Sequence, residues 1–132
     1  MRLAVPVAIA VLALASSAAG AVPKAFRATL TAPTHAPKVN VHWPYQVTVA
    51  DLKGKPLAGK VSVAIVDPVG GVHPVQFGAN TKYVTNVTFK GVFRDYVIWP
   101  PESAVGVVLK FRVTVKTAKG TAVLVYPVTP HR

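Results

Sequence analysis

The placement of proline is the feature that most limits what this chain of 132 residues can fold into. After residue 21, proline recurs at positions 23, 33, 37, 44, 56, 68, 74, 100, 101, 127 and 130. Because proline lacks a backbone N–H and fixes φ, it is not tolerated in a helix interior. The proline-free windows 75–99 and 102–126 are rich in Val, Thr, Phe and Tyr, which favour strands. The spacing therefore predicts an all-β domain.

Strict alternation of apolar and polar residues supports this prediction, most clearly over residues 109–116. There Lys110, Arg112 and Lys116 share the polar face of the predicted strand. A short link ending at Gly120 predicts a hairpin with a strand over 121–126. Further strands are predicted over residues 26–31, 45–52, 60–66, 82–90 and 92–99. About seven short strands separated by turn signals predict an Ig-like antiparallel β-sandwich.

Residues 1–21 have the three-part layout of a secretory signal peptide. Arg2 precedes an apolar run over 3–15, and a small-residue stretch ends at Ala21. The alternative is an uncleaved anchor, but the apolar run is shorter than the roughly 20 residues of a spanning helix. We therefore expect cleavage before Val22, no transmembrane segment afterwards, and a secreted, extracellular or cell-envelope location.

The expected organisation of the exported chain is simple. A flexible lead is predicted over residues 22–37, and a single sandwich domain over 38–130. The sequence contains no cysteine, so this domain has no disulfide to stabilise it. That absence argues against the disulfide-rich scaffolds of eukaryotic extracellular proteins and favours a bacterial exported protein.

The charge is strongly one-sided, with 15 Lys+Arg against 4 Asp+Glu and a formal net charge of +11. Such a surface attracts polyanions, although net charge can also serve solubility alone. We expect Lys110, Arg112 and Lys116 to form the contact surface for an anionic cell-wall polymer. Nucleic acid is not expected as a partner, because the neighbouring aromatic Phe111 falls on the opposite face and the chain is exported.

Residues 51–61 read Asp-x-x-Gly-Lys-Pro-Leu-x-Gly-x-Val. This pattern resembles the turn between two strands in Ig-like modules of exported bacterial proteins, which YtkA-like and carboxypeptidase-regulatory-like domains share. The resemblance implies a β-sandwich that binds or supports other components of the envelope, another envelope protein being one such partner. It carries over no catalytic residue.

The sequence offers little material for catalysis. Ser62 and Ser103 lack the Gly-x-Ser-x-Gly pattern of a nucleophile elbow. Among the four acids, Asp95 and Glu102 could contribute to an active site only if the fold brought them together with a histidine. We therefore expect a protein that is not an enzyme and uses no cofactor.

An extracytoplasmic metal-binding module is the alternative function. Without cysteine, a soft copper(I) site is not expected. Copper(II) or zinc could be held by two histidines and an acid, with His42 and His73 as the candidate ligands. His73 belongs to a loop predicted over residues 67–74, which is rich in Gly and Pro. Binding residues are often found on such loops, but a plain connection between strands without a ligand is the alternative for this one.

Overall fold

The computed structural model describes residues 25–75, 77–78, 86–99 and 105–132. They form eight strands: β1 (Phe26–Thr31), β2 (His42–Asp51), β3 (Ala58–Val66), β4 (Val72–Pro74), β5 (Val87–Lys90), β6 (Val92–Ile98), β7 (Leu109–Thr117) and β8 (Gly120–Val128). In this part of the chain no helix is long and apolar enough to cross a membrane. The predicted signal peptide, residues 1–21, lies outside the described residues.

The strands form two antiparallel sheets, which confirms the predicted all-β sandwich. The three-stranded sheet has the order β1-β2-β6. The five-stranded sheet has the order β4-β3-β7-β8, and β5 pairs with a separate stretch of β3. Only β7 and β8 among the long strands are joined by a tight hairpin, closed by the pair Thr117 and Gly120. β1 and β2, and likewise β3 and β4, are consecutive strands of one sheet. The remaining pairs, β2 with β6 and β3 with β5 and β7, join strands that are not consecutive in the chain.

The inward faces of the two sheets meet in an aromatic core. Phe111 of β7 is fully buried and lies edge-on to Trp43 and Tyr45 of β2, with ring centroids 5.2 and 4.8 Å away. Trp99, also fully buried, contacts both Trp43 and Phe111. Aromatic pairs at these separations add to the stabilisation that burial alone provides. The core thus joins the sheets without a disulfide.

The domain begins earlier than the predicted boundary at residue 38. Strand β1 lies inside the segment expected to be a flexible lead, and it pairs with β2 from Phe26↔Asp51 to Thr31↔Gln46. Phe26 and Leu30 are buried in the core. Because these two large side chains are packed, residues 26–31 are part of the sandwich, and the prediction of a flexible lead was wrong for them.

One strand was not predicted. Within the loop expected over residues 67–74, Val72–Pro74 form the three-residue strand β4, paired with the end of β3. β4 has only three residues, all exposed, and one of them is Pro74, so the sequence offers no alternation long enough to predict a strand there. The strand predicted over 82–90 is described only from Val87 onwards, and residues 82–85 lie outside the described part.

The turn between β2 and β3 contains the Asp-x-x-Gly-Lys-Pro-Leu-x-Gly-x-Val pattern of residues 51–61. The Asp51 carboxylate accepts the backbone N–H of Lys53 and of Lys55 through Oδ1, each at 2.9 Å. Gly54 has φ 90°, a left-handed conformation that glycine adopts without strain. The residues therefore form the turn that their types predict.

Gly91 marks the point where the chain passes from one sheet to the other, between β5 and β6. Its φ is 77°, and a Cβ there would lie 2.9 Å from the Cβ of Pro56. Its carbonyl accepts the N–H of Val49, and its N–H donates to the carbonyl of Leu57. A larger residue would both strain the backbone and collide with Pro56.

Candidate functional site: the basic face of the five-stranded sheet

The polar face of β7 points away from the core. Phe111, Val113 and Val115 are buried, whereas Lys110 and Lys116 are exposed and Arg112 is half-buried. Because side chains alternate across a strand, the three predicted cations lie on the outer face of the five-stranded sheet. The structure therefore places Lys110, Arg112 and Lys116 together on one surface, which we call the basic face.

Two further cations join the basic face from neighbouring strands. Lys60 of β3 lies directly opposite Lys116 of β7, and residues opposite one another in an antiparallel pair share a face. Lys90 of β5 lies opposite Ala58, which alternates onto the same side of β3 as Lys60. Both lysines are exposed. The basic face consequently holds five cations drawn from three strands.

Within the described residues, no carboxylate lies on the basic face. Asp51 ends β2 of the other sheet, and Asp95 faces the interior. Asp67 follows β3 in the turn to β4, where its Oδ1 accepts the N–H of Val69 and Gly71. None of the five cations has a hydrogen-bond or ion-pair partner among the described residues. The juxtaposition of Lys60 and Lys116 is unfavourable, since like charges directly opposite destabilise a pair of strands.

Sequence reasoning identified three of these five cations. The predicted strand over residues 60–66 already placed Lys60 on its polar face, but no local signal shows that β3 pairs with β7. The two strands are more than forty residues apart in the chain, and their pairing is decided by the packing of their apolar faces. Lys90 reaches the basic face only because β5 pairs with the beginning of β3.

The outer face of the three-stranded sheet has a different character, because its polar side chains bond to one another. The Nε of Arg94 donates to Oε1 of Gln46 at 2.9 Å, and the hydroxyls of Thr29 and Thr48 form a hydrogen bond. A shallow concavity of about 310 Å³ lies here, lined by Gln46, Arg94 and neighbouring residues. It is open to solvent, and Asp95, the one acid that lines it, is buried.

Asp95 is the one buried charged residue in the described part of the chain, with 7 % of its surface exposed. Its Oδ2 accepts the backbone N–H of Gly78 at 2.9 Å. Burial, followed by the nearby Asp95 carboxylate, raises the pKa of the Tyr45 hydroxyl well above its usual value. Because Asp95 lies in β6, its hydrogen bond with Gly78 holds the segment at residue 78 against that strand. Glu102, its proposed companion in an active site, lies outside the described residues.

The candidate metal ligands lie in different sheets. His42 begins β2 and stacks on Tyr96, with ring centroids 3.9 Å apart. His73 lies on β4, where its Nε2 is 2.9 Å from Oδ2 of Asp67. Hydrogen bonds from His73 and Gly71 lower the pKa of the Asp67 carboxyl. Among the described residues, no group of three or more His, Cys, Asp or Glu could hold a metal ion. The copper(II) or zinc site stays a prediction.

Comparison of the chain with protein-family models, with curated proteins and with solved structures found no match. The interpretation of the site therefore depends on its own geometry and charge.

Proposed function

We propose that this chain is a non-catalytic module of the cell envelope that works after export and binds an anionic polymer through the basic face. One observation carries the proposal: five cations from β3, β5 and β7 share a sheet face on which the described residues place no carboxylate. A protein that needed charge only for solubility would gain as much from cations spread over both sheets. The Ig-like turn over residues 51–61 supports the same kind of module.

The geometry favours a polymer over a small anion. Alternate residues of a strand are roughly 7 Å apart, so Lys110, Arg112 and Lys116 span roughly 20 Å along β7. Lys60 and Lys90 widen this row across two neighbouring strands. The cations do not converge on one point, as they would around a single phosphate. They instead form a strip along which repeated negative charges, such as the phosphates of a wall polymer, can each approach a cation.

The proposal is tested by the binding of the purified chain to an isolated phosphate-containing wall polymer, measured by calorimetry at low and high salt. Binding by charge neutralisation releases counterions, so affinity should fall steeply as salt rises. Replacement of Lys110, Arg112 and Lys116 by alanine should weaken binding by roughly tenfold or more at low salt. A polymer of uronic acids, assayed in parallel, shows whether phosphate or carboxylate charges are preferred.

The control is a triple alanine variant with the same change in net charge away from the basic face. Lys38, Lys53 and Lys55 are exposed and suit this purpose. The control should retain most of the affinity, because only the mean charge of the molecule changes. Equal losses in both variants would show that binding is non-specific, and absence of binding at low salt would refute the proposal.

A further inference from the structure

Strand β8 forms one edge of the five-stranded sheet, and its outward backbone groups can be identified. Past its end, the N–H of Thr129 donates to the carbonyl of His35, and the N–H of His131 donates to that of Pro37. The carbonyl of Pro127 accepts a hydrogen bond from Nδ1 of His35. These three odd-numbered residues therefore direct their backbone groups away from β7. By the two-residue period of a strand, Thr121, Val123 and Val125 do the same.

Among the described residues, the edge is covered at one end only. Residues 35–39 run beside Pro127, Thr129 and His131, and a parallel bridge joins Lys38 to His131. No described residue pairs with the outward N–H and C=O groups of Thr121, Val123 and Val125. Within the described part of the chain, three residues of strand edge are thus available for additional hydrogen bonds.

Within β8, the one feature that blocks strand addition is Pro127, and it lies at the covered end of the edge. Residues 120–126 read Gly-Thr-Ala-Val-Leu-Val-Tyr, without a charge or a proline. The other described strands with a free edge carry the features that block strand addition. Arg27 lies in β1, Arg94 and Asp95 lie in β6, and the short strands β4 and β5 contain Pro74 and Lys90. β8 is therefore the edge at which another strand can be added.

We propose that a second copy of this chain pairs with the open edge, β8 against β8 in antiparallel register, with the two-fold axis at Val123. Thr121 would lie opposite Val125 of the partner, and Val123 opposite its own counterpart. All of these residues direct their N–H and C=O groups outwards, so the register forms about six hydrogen bonds between the chains. The β-branched side chains would pair on the outer face, a favourable cross-strand combination.

The charge distribution favours a second copy over an acidic peptide as the occupant. An acidic strand would be attracted to the basic face, whereas residues 120–126 carry no charge to hold it. In the dimer, the cations of β7 would be separated from those of the partner's β7 by three strand spacings, about 14 Å. This distance exceeds the screening length of about 8 Å at physiological salt, so repulsion would not prevent pairing.

The test is sedimentation equilibrium of the purified chain from about 1 µM to about 1 mM, because pairing of a single edge forms a small interface and a weak dimer. We expect reversible dimerisation that does not weaken as salt rises, since the paired edge carries no charge and salt only screens what repulsion remains between the two β7 strands. Polymer binding should weaken as salt rises, so the two proposals can fail separately. A chain that stays monomeric over the whole range would overturn the dimer.

The decisive variant is Val123→Pro, which removes an outward N–H but no hydrogen bond to β7. Edge strands tolerate proline at such positions. The variant should be monomeric at concentrations where the chain dimerises, while Val123→Thr, which keeps the N–H and the branched shape, should still dimerise. Should Val123→Pro unfold on circular dichroism, Val123→Lys makes the same test by placing like charges at the two-fold axis. Dimerisation that survives in folded Val123→Pro or in Val123→Lys would refute the register.

Discussion

The outer faces of the two sheets differ in whether their side chains bond to one another. On the three-stranded sheet, Arg94 bonds to Gln46, Thr29 to Thr48, and His42 stacks on Tyr96. On the five-stranded sheet, Lys60 of β3 lies opposite Lys116 of the adjacent strand β7, and the described residues supply neither of them with a counter-ion. A face whose groups satisfy one another needs no ligand. A face that holds like charges together is better stabilised when an anion is bound.

The largest effect should come from breaking the contact between the two sheets. Phe111→Ala removes the fully buried ring that packs on Trp43, Tyr45 and Trp99. Such a truncation costs about 3–5 kcal/mol of unfolding free energy. The measurement is denaturant unfolding followed by tryptophan fluorescence. Val125→Ala on the outer face is the control and should cost far less. A loss from Phe111→Ala no larger than that of the control would contradict the packing described.

A smaller effect is expected from the tyrosine that the three-stranded sheet contributes to the core. Tyr45 has a raised pKa in the folded protein, so its neutral form is favoured there. In the unfolded chain it ionises near pH 10, and folding stability is therefore lost as pH rises above that value. Between pH 8 and pH 11, the unfolding free energy of the unmodified chain should fall by about 1.4 kcal/mol more than that of the Tyr45→Phe variant. Equal alkaline losses in thermal unfolding would show that the hydroxyl ionises freely.

Lys60→Glu tests whether like charges on the basic face are retained at a cost in stability. The glutamate would lie opposite Lys116 and replace a repulsive pair with an attractive one. We expect a gain of about 0.2–1 kcal/mol in unfolding free energy, together with weaker polymer binding. Lys60→Gln, which only removes the charge, should fall between the two. A variant that is less stable, or that binds the polymer more tightly, would contradict the opposition of the two lysines.

The smallest effect is expected on the face whose groups are already paired. Arg94→Ala removes an exposed hydrogen bond to Gln46 and should change the unfolding free energy by no more than about 0.5 kcal/mol. Polymer affinity should also stay close to that of the unmodified chain, because Arg94 lies on the sheet opposite the basic face. A loss of affinity as large as that of the Lys110, Arg112 and Lys116 variant would move the binding surface to the three-stranded sheet.

Local sequence signals were sufficient to predict the positions of most strands, but they did not predict which strands pair with one another. The alternation over residues 109–116 predicted β7 to within one residue, and the strand predicted over 26–31 is β1. β4 was not predicted because three residues, one of them proline, are too few to show the two-residue period of a strand. The predicted flexible lead was wrong for residues 26–31, since only the packing of Phe26 and Leu30 shows that they are core residues.

The same division applies to the candidate site. The two-residue period by itself placed Lys110, Arg112 and Lys116 on one polar face, because alternation is a property of a single strand. Which strands became neighbours decided that Lys60 and Lys90 join this face. It also decided that none of the carboxylates in the described residues lies there. Pairing between distant strands is selected by the burial of complementary apolar faces, which is a property of the whole core. The sequence by itself thus determined the class of fold and the first three cations, and tertiary packing decided the complete basic face and the open edge of β8.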